Sequence, residues 1–299
     1  MTTLALDIGG TKIAAGLVSD DGVLLSSRAE RTPCGDAESV WAVVERVTGA
    51  TVAGADVRGV GIACAGPLDL PVGTVSPINI AGWSNFPLRE RVSSLFPGLP
   101  VRLGGDGVCM ALGEHWRGAG QGTSYMLGIV ISTGVGGGLV LDGKPYLGRT
   151  GNAGHVGHVL VEPGGPLCSC GARGCVEAIA GGPRMVQWAL SLGWAAPRGA
   201  GAKELAAAAV AGEPLALNAF QRSADAVAAM IASVGAVCDL ELAVVGGGVA
   251  AAGAVLFDPL REALARYARL DFLSGMQVVP AALGRDAGLI GAAALLRDS

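Results

Sequence analysis

The sequence predicts an α/β protein built from two similar halves. Short β-branched segments alternate with segments of helical periodicity along the 299 residues, which is the pattern of strands connected by helices. A strand, a glycine-rich hairpin and a second strand ending in an Asp-Gly turn begin near residue 3 and begin again near residue 125. This recurrence indicates an internal duplication, and the chain length fits two domains.

The composition argues against several classes of protein. Hydrophobic residues make up 51% of the chain and charged residues 15%, whereas disordered chains combine low hydrophobicity with high net charge. The formal net charge of -4 argues against a nucleic-acid surface, which is normally basic. No apolar run reaches the roughly 18 residues that span a bilayer, and no signal segment opens the chain. We expect a soluble, cytoplasmic protein with no nucleic-acid or membrane partner.

The first half opens with a predicted β-meander. Residues 3–8 and 13–18 are short, apolar and β-branched, and turn residues separate them from each other and from a third strand at 23–31. The elements predicted next are a helix at 37–52, a strand at 58–63, a short strand at 101–103 and a helix at 108–116.

The second half repeats the opening hairpin with strands predicted at 125–131 and 137–141. Residues 148–182 have no regular pattern. The later predicted elements are helices at 207–210 and 213–237, a strand at 242–245, a helix at 258–268, a strand at 276–279 and a terminal helix at 286–296. No Pro/Ser-rich linker separates the halves, and we place the boundary between domains 1–115 and 116–285 near residues 114–122.

Three glycine-rich turns at strand ends indicate phosphate binding. In the first turn, adjacent glycines let backbone amides approach an anion beside the Thr11 hydroxyl and the Lys12 ammonium. Asp7, at the end of the preceding strand, can hold Mg²⁺ directly or through water. One such turn alone is equally typical of an ordinary hairpin. Residues 133–138 and 246–248 add two more turns, and the three together predict a nucleotide site.

Asp106 follows two glycines at the start of a predicted helix. Aspartate is a favourable N-cap residue, which gives it a purely structural explanation. A carboxylate in this place can also act as a general base that takes a proton from an attacking hydroxyl, which contributes about 10²–10⁴-fold to a rate. The sequence pattern leaves both roles open.

A histidine and three cysteines match a structural zinc site. The four residues are His158, Cys168, Cys170 and Cys175. One His and three Cys suit a closed tetrahedral zinc, and glycines between the ligands permit the sharp bends that the short Cys-x-Cys spacing requires. The alternative is three free thiols that lie near a histidine by chance. A bound zinc would order an otherwise irregular loop, residues 155–177, that includes His155 and Glu177.

These motifs together resemble the ROK family, in the superfamily of sugar kinases, actin and Hsp70-like ATPases. The resemblance extends from Asp7 to the final helix. It rests on residues 7–12, 61–69, 79–83, 106–114, 133–138, 154–158, 168–177 and 246–249.

The resemblance implies an ATP-dependent hexose kinase with two duplicated actin/Hsp70/hexokinase-like domains and a cleft between them. The terminal helix, residues 286–299, would return to the first domain. Asp106 matches the family's catalytic base, which deprotonates the sugar 6-hydroxyl for in-line attack on the γ-phosphate. The resemblance also favours a homodimer. ATP and Mg²⁺ would bind at Asp7, Gly9, Gly10, Thr11, Lys12, Thr133, Gly134, Gly136, Gly246, Gly247 and Gly248.

The sugar site carries two departures from the family pattern. Its implied residues are Gly66, Asn79, Gly105, Asp106, His155, His158 and Glu177, with zinc held by His158, Cys168, Cys170 and Cys175. The family's usual Asn before the catalytic Asp is Gly105 here, and its usual Glu three residues before the zinc-binding His is His155. The chemistry is therefore retained while sugar recognition changes. We expect a modified hexose such as kanosamine (3-amino-3-deoxyglucose) or glucosamine, with glucose as the alternative.

Two other functions occur in or near this family. Sugar-responsive repressors carry a helix-turn-helix domain before the first glycine turn, and a turn that begins at Asp7 leaves no room for one. A catalytically silent sugar sensor is the second, and the retained Asp106 argues against it. Polyphosphate is an alternative phosphoryl donor to ATP.

Overall fold

The computed structural model describes residues 1–297 and confirms the α/β class. The strands are β1 (Thr2–Ile8), β2 (Lys12–Ser19), β3 (Leu24–Arg31), β4 (Val57–Cys64), β5 (Leu68–Asp69), β6 (Thr74–Val75), β7 (Val101–Gly105), β8 (Met126–Ile131), β9 (Val135–Leu141), β10 (Lys144–Tyr146), β11 (Leu242–Gly246) and β12 (Gln277–Pro280). The helices are α1 (Ala37–Val52), α2 (Leu88–Leu95), α3 (Asp106–Arg117), α4 (Glu177–Ala180), α5 (Gly182–Ser191), α6 (Ala202–Val210), α7 (Pro214–Cys238), α8 (Ala254–Tyr267) and α9 (Ala287–Ala294). The last two residues of the predicted terminal helix, 298 and 299, lie outside the described residues.

Two five-stranded sheets share one topology. The first has the strand order β3-β2-β1-β4-β7 and the second β10-β9-β8-β11-β12. In both, a central strand pairs antiparallel with the next strand in sequence and parallel with a strand from beyond a helical connection. An internal duplication produces this arrangement, in which the carboxyl ends of the parallel strands meet at one edge of each sheet.

The chain forms two compact units. The first contains Met1–Gln121, Pro145–Gly154 and the described residues from 285 onward, and the second contains Gly122–Lys144 and His155–Gly284. The segment Pro145–Gly154 belongs to the first unit, whereas the sequence-based boundaries placed it in the second domain. It joins the first unit because the Asn152 side chain bonds both backbone groups of Leu68, at 3.0 and 2.7 Å. Within residues 1–297, no helix is both long enough and apolar enough to cross a membrane.

Helix α9 packs against the first sheet and against α3 at glycine residues. A Cβ on Gly291 would overlap the backbone carbonyl of Cys109 in α3, and a Cβ on Gly61 in β4 would overlap the carbonyl of Ala292. The backbones therefore lie in direct contact, which only glycine permits. This contact brings α9 against β1, whose strand end carries Asp7.

We expect Gly291→Ala to destabilise the protein by about 1–3 kcal/mol, because the added methyl group must push α9 away from α3. The matched control is Gly49→Ala in α1, where no atom lies within 4 Å of the added Cβ. Alanine has the higher helix propensity, so this control should be neutral or stabilising by up to about 1 kcal/mol. Urea unfolding of both variants measures the difference, and equal stabilities would contradict the backbone contact.

Several elements begin earlier than predicted or were not predicted. Strand β9 begins at Val135, two residues before the predicted start, because pairing with β8 overrides the low strand propensity of its glycines. Helix α3 begins at Asp106 instead of residue 108. Helices α2 and α5 were not predicted, and α5 follows directly on the irregular segment.

Candidate functional site

The first glycine turn joins β1 to β2 and lies against Asn79. The Gly9 amide donates to the Lys12 carbonyl at 3.0 Å, which closes the turn, and the Thr32 hydroxyl donates to the Gly9 carbonyl at 2.6 Å. A Cβ on Gly10 would lie 2.6 Å from the Cβ of Asn79, so no larger residue fits there. The fold thus places a predicted phosphate-binding residue beside a predicted sugar-binding residue.

Asp106 lies at the carboxyl edge of the same sheet, where β7 ends and α3 begins. Gly105 is the N-cap residue of α3, and Asp106 is its first helical residue. The N-cap role left open by the sequence is therefore wrong. The Asp106 side chain is exposed, and its Oδ1 accepts a hydrogen bond from the Gly107 amide at 2.8 Å. This bond orients a carboxylate that solvent or a ligand can still reach.

Asp7 and Asp106 interact electrostatically. Burial raises the pKa of Asp7 to about 6, the Lys12 ammonium opposes this rise, and the negative charge of Asp106 adds to it. The thiols of Cys64 and Cys109 lie in the same region, and burial together with the two carboxylates raises the pKa of each well above its usual value. Both thiols therefore stay protonated at neutral pH.

The raised pKa of Asp7 predicts a pH-dependent stability for the protein without nucleotide or magnesium. A carboxyl whose pKa is higher in the folded state contributes stability below its unfolded pKa, near 3.8, and that contribution is lost as the pH rises through about 6. Between pH 4 and pH 7, wild type should therefore lose about 2 kcal/mol relative to Asp7→Asn. Denaturant unfolding at several pH values measures this difference, and a constant difference would contradict the pKa rise.

The predicted metal ligands come together in the second unit. The ligand atoms of His158, Cys168, Cys170 and Cys175 all lie within 4.8 Å of one another. The Cys170 and Cys175 sulfurs are 3.7 Å apart, as are the Cys168 sulfur and His158 Nδ1. A tetrahedral zinc with Zn–S bonds of about 2.3 Å requires sulfurs about 3.8 Å apart. The donor set and its spacing therefore fit zinc.

Glycines shape the loop that carries these ligands. Gly171 and Gly174 have φ angles of +91° and +79°, in the left-handed region. A Cβ on Gly174 would also overlap the carbonyl of Glu162. Glycine is therefore required where the chain turns between Cys170 and Cys175.

The second and third glycine turns adjoin at the carboxyl edge of the second sheet. The Ser132 amide donates to the Gly134 carbonyl at 2.9 Å, which tightens the turn between β8 and β9. Gly247 has a φ of +94°, and a Cβ there would meet the carbonyl of Ile131 at the end of β8. Two of the predicted phosphate-binding turns thus lie side by side.

A cavity of about 480 Å³ opens beside these two turns. Thr133 and Gly248, two of the predicted phosphate-binding residues, line it, whereas most of the other lining residues were not predicted. Those include Gly182, Pro183, Val186, Gln187, Ala202 and Lys203. The glycine pair before Pro183 was an available signal, because proline is favoured in the first turn of a helix.

The predicted sugar residues are divided between the units. Gly66, Asn79, Gly105 and Asp106 belong to the first, and His155, His158 and Glu177 to the second. A Cβ on Gly105 would have the side chains of Leu68 and Val108 as its nearest neighbours, at 3.8 and 3.9 Å, so a Cβ fits there without a clash. The rings of His155 and His158 are nearly parallel, with centroids 6.4 Å apart.

Comparison with known proteins identifies the family. The model of the ROK family matches residues 3–299. A glucokinase of Thermotoga maritima is 35% identical over 99% of this chain and 97% of its own, and an N-acetylmannosamine kinase of Yersinia pseudotuberculosis is 36% identical over 99% and 98%. The crystal structure of a ROK family glucokinase from Streptomyces griseus, in complex with glucose and AMPPNP, superposes with a TM-score of 0.86 at 36% identity over the whole of both chains. The chain therefore belongs to the ROK family, as its motifs predicted.

Proposed function

We propose that the protein is an ATP-dependent kinase that phosphorylates the 6-hydroxyl of a hexose. The observation that carries the proposal is the exposed carboxylate of Asp106, which lies at the same sheet edge as Asp7 and the first glycine turn. Ligands of open α/β sheets bind outside the carboxyl ends of the strands. Glucokinase and N-acetylmannosamine kinase relatives support the reaction class.

Asp106 acts as the general base. Its carboxylate accepts the proton of the 6-hydroxyl as the sugar oxygen attacks the γ-phosphorus, and the bond from that phosphorus to the bridging oxygen breaks to release ADP. The hydrogen bond from the Gly107 amide holds one carboxylate oxygen, so the carboxylate keeps its orientation before the sugar binds. Preorganisation of this kind is what positions a base for proton transfer.

The second unit holds the nucleotide. The cavity volume of about 480 Å³ lies within the range of small-molecule sites, about 300–1,000 Å³. Pro183, Val186 and Lys203 line this cavity and would contact the nucleoside, and the turns at Thr133 and Gly247 would hold the phosphates. Asp7 would hold Mg²⁺, which would neutralise phosphate charge. The AMPPNP complex of the similar glucokinase supports ATP as the donor.

Zinc has a structural role in this proposal. Three cysteines and a histidine fill all four positions of a tetrahedral metal, which leaves none for substrate. The metal orders the loop that carries His155 and Glu177, two of the predicted sugar residues. It takes no part in phosphoryl transfer.

The reaction is tested by coupled release of ADP with glucose, mannose, N-acetylmannosamine and 3-amino-3-deoxyglucose on one preparation. We expect turnover with at least one hexose, and we expect phosphorus NMR to place the phosphate on the 6-oxygen. Binding of sugar and nucleotide without turnover of any hexose would show a silent sensor and contradict the proposal.

The substrate we propose is an amino hexose such as kanosamine or glucosamine. An asparagine at position 105 would present an amide to the sugar, and Gly105 leaves that space open. His155 replaces a negatively charged acceptor with an imidazole. A mismatched polar group costs about 1–3 kcal/mol, which is enough to change the preferred sugar.

We expect Gly105→Asn to shift specificity towards glucose. The backbone at Gly105 has φ and ψ of -65° and 149°, which asparagine adopts without strain. The ratio of kcat/KM for 3-amino-3-deoxyglucose to that for glucose should fall about 10-fold, since the amide refills the space. Gly49→Asn, on the exposed face of α1, is the control. An unchanged ratio, or glucose preferred by a wide margin in wild type, would contradict the amino-hexose proposal.

A further inference from the structure

The carboxylate of Glu177 connects two segments that are far apart in the sequence. Its Oε2 accepts a hydrogen bond from the backbone amide of Val135, at 3.0 Å, where β9 begins. Its Oε1 accepts a hydrogen bond from the Ser169 hydroxyl at 3.2 Å and lies 3.9 Å from the Cys168 sulfur. One side chain therefore contacts both the turn between β8 and β9 and the loop that carries the cysteines.

The geometry of the turn depends on this carboxylate. A Cβ on Gly134 would overlap Glu177 Oε2, so the carboxylate lies directly against the turn backbone. Gly157 also packs directly against the backbone of Val135, because a Cβ on Gly157 would overlap the Val135 carbonyl. The Gly182 amide donates to the Ser132 carbonyl at 2.8 Å. Residues close in sequence to the predicted metal ligands therefore hold the turn that carries Thr133 and Gly134 in place.

The position of Glu177 in the chain couples it to those ligands. It is the first residue of α4 and follows the ligand Cys175 by two residues. The Val176 amide between them bonds the Val159 carbonyl at 3.0 Å, next to the ligand His158. When the metal orders this loop, it therefore also fixes where the Glu177 carboxylate points.

We infer that Glu177 is a positioning residue through which the metal loop sets the conformation of the phosphate-binding turn. A hydrogen bond to a carboxylate is about twice as strong as one between neutral groups, so the contact with Val135 is a strong restraint on the turn. The inference rests on the proposed nucleotide site, and it gives the structural metal an effect on nucleotide affinity that does not require contact with nucleotide.

Hydrogen–deuterium exchange of the peptide that contains residues 132–136 tests the link. In Glu177→Ala, exchange at the Val135 amide should rise about 10-fold, because its acceptor is lost. Glu177→Gln keeps a carbonyl oxygen towards Val135 and should stay within about threefold of wild type. Ser169→Ala frees the opposite oxygen and should raise exchange by about threefold. Glu162→Gln is the control and should leave exchange unchanged, because Glu162 lies in the same loop as the ligands but its carboxylate accepts from Arg222 of α7.

The coupling to the metal is tested by chelation, which should raise exchange of the turn in wild type but add little in Glu177→Ala. Two changes that act through one residue are not additive. Calorimetric titration with AMPPNP alone should give a Kd about fivefold higher in Glu177→Ala, and KM for ATP should rise more than kcat falls.

Additive effects of chelation and substitution would overturn the inference, as would unchanged exchange in both Glu177→Ala and Ser169→Ala. Should Glu177→Ala fail to fold, Ser169→Ala and chelated wild type decide the question, since both keep Glu177. Absence of AMPPNP binding in wild type would contradict the proposed function, whereas the exchange data would still decide the link between the loop and the turn.

Discussion

Replacement of Asp106 by asparagine is expected to lower kcat for hexose phosphorylation by about 10²–10⁴-fold. Asparagine keeps the size of the side chain and an oxygen that can accept from the Gly107 amide, but it cannot take the proton of the 6-hydroxyl. The attacking oxygen must then lose its proton to water. Because the change removes a proton acceptor and leaves the shape of the site, the affinities for sugar and AMPPNP should stay within about threefold of wild type.

The measurement is coupled ADP release, with calorimetric titration of each ligand on the same preparation. Asp56→Asn is the matched control, because Asp56 is exposed in the same unit and its backbone carbonyl, which the substitution keeps, accepts from the Thr2 hydroxyl. That variant should turn over like wild type. Turnover in Asp106→Asn equal to that of wild type would show that Asp106 is not the general base, and the main support for a kinase would be lost.

Replacement of Cys175 by serine is expected to release the metal and to lower the melting temperature by about 10 °C or more. The Cys175 side chain is fully buried, and its sulfur lies 3.7 Å from that of Cys170. Structural zinc sites contribute about 10–16 kcal/mol of apparent binding free energy, so the loss of one of four ligands removes a large part of the loop's stability. For domains of about 150–250 residues, each kcal/mol corresponds to about 2–4 °C.

Metal analysis of the purified protein and calorimetric melting with and without a chelator measure this effect. Wild type should contain about one zinc per chain, and chelation should lower its melting temperature as far as the substitution does. Cys34→Ser is the control, because Cys34 is exposed and lies outside the cluster. A wild-type melting temperature that does not change on chelation would show that the three cysteines are free thiols near a histidine.

Local patterns predicted much of the candidate site. The cysteine and histidine spacing predicted a cluster whose atoms the fold brings within 4.8 Å of one another. The glycines at 10 and 247 marked turns where any Cβ would collide with a neighbouring segment. Such signals depend on the conformation of a few adjacent residues, and the identity of those residues is enough to reveal them.

Other features escaped because they depend on which distant segments pack together. The walls of the cavity come from α5 and the start of α6, and α5 was not predicted at all. Gln187 and Lys203 have no local feature that separates them from ordinary surface residues. Their relation to Thr133 exists only once the helices pack beside the second sheet.

Turn chemistry and hydrophobic periodicity act over short stretches of chain, so the α/β class, the duplicated hairpins, the cluster of one histidine and three cysteines and the family could be predicted from the residues alone. The electrostatics and the long-range contacts could not, because they exist only in the folded chain. The pKa of Asp7 rises because burial and Asp106, which lies far away in the sequence, act on one carboxylate. The bond between Glu177 and Val135 likewise joins segments that chain folding alone brings together. Burial and charge interactions depend on distance in space, and a sequence read along its length does not contain those distances.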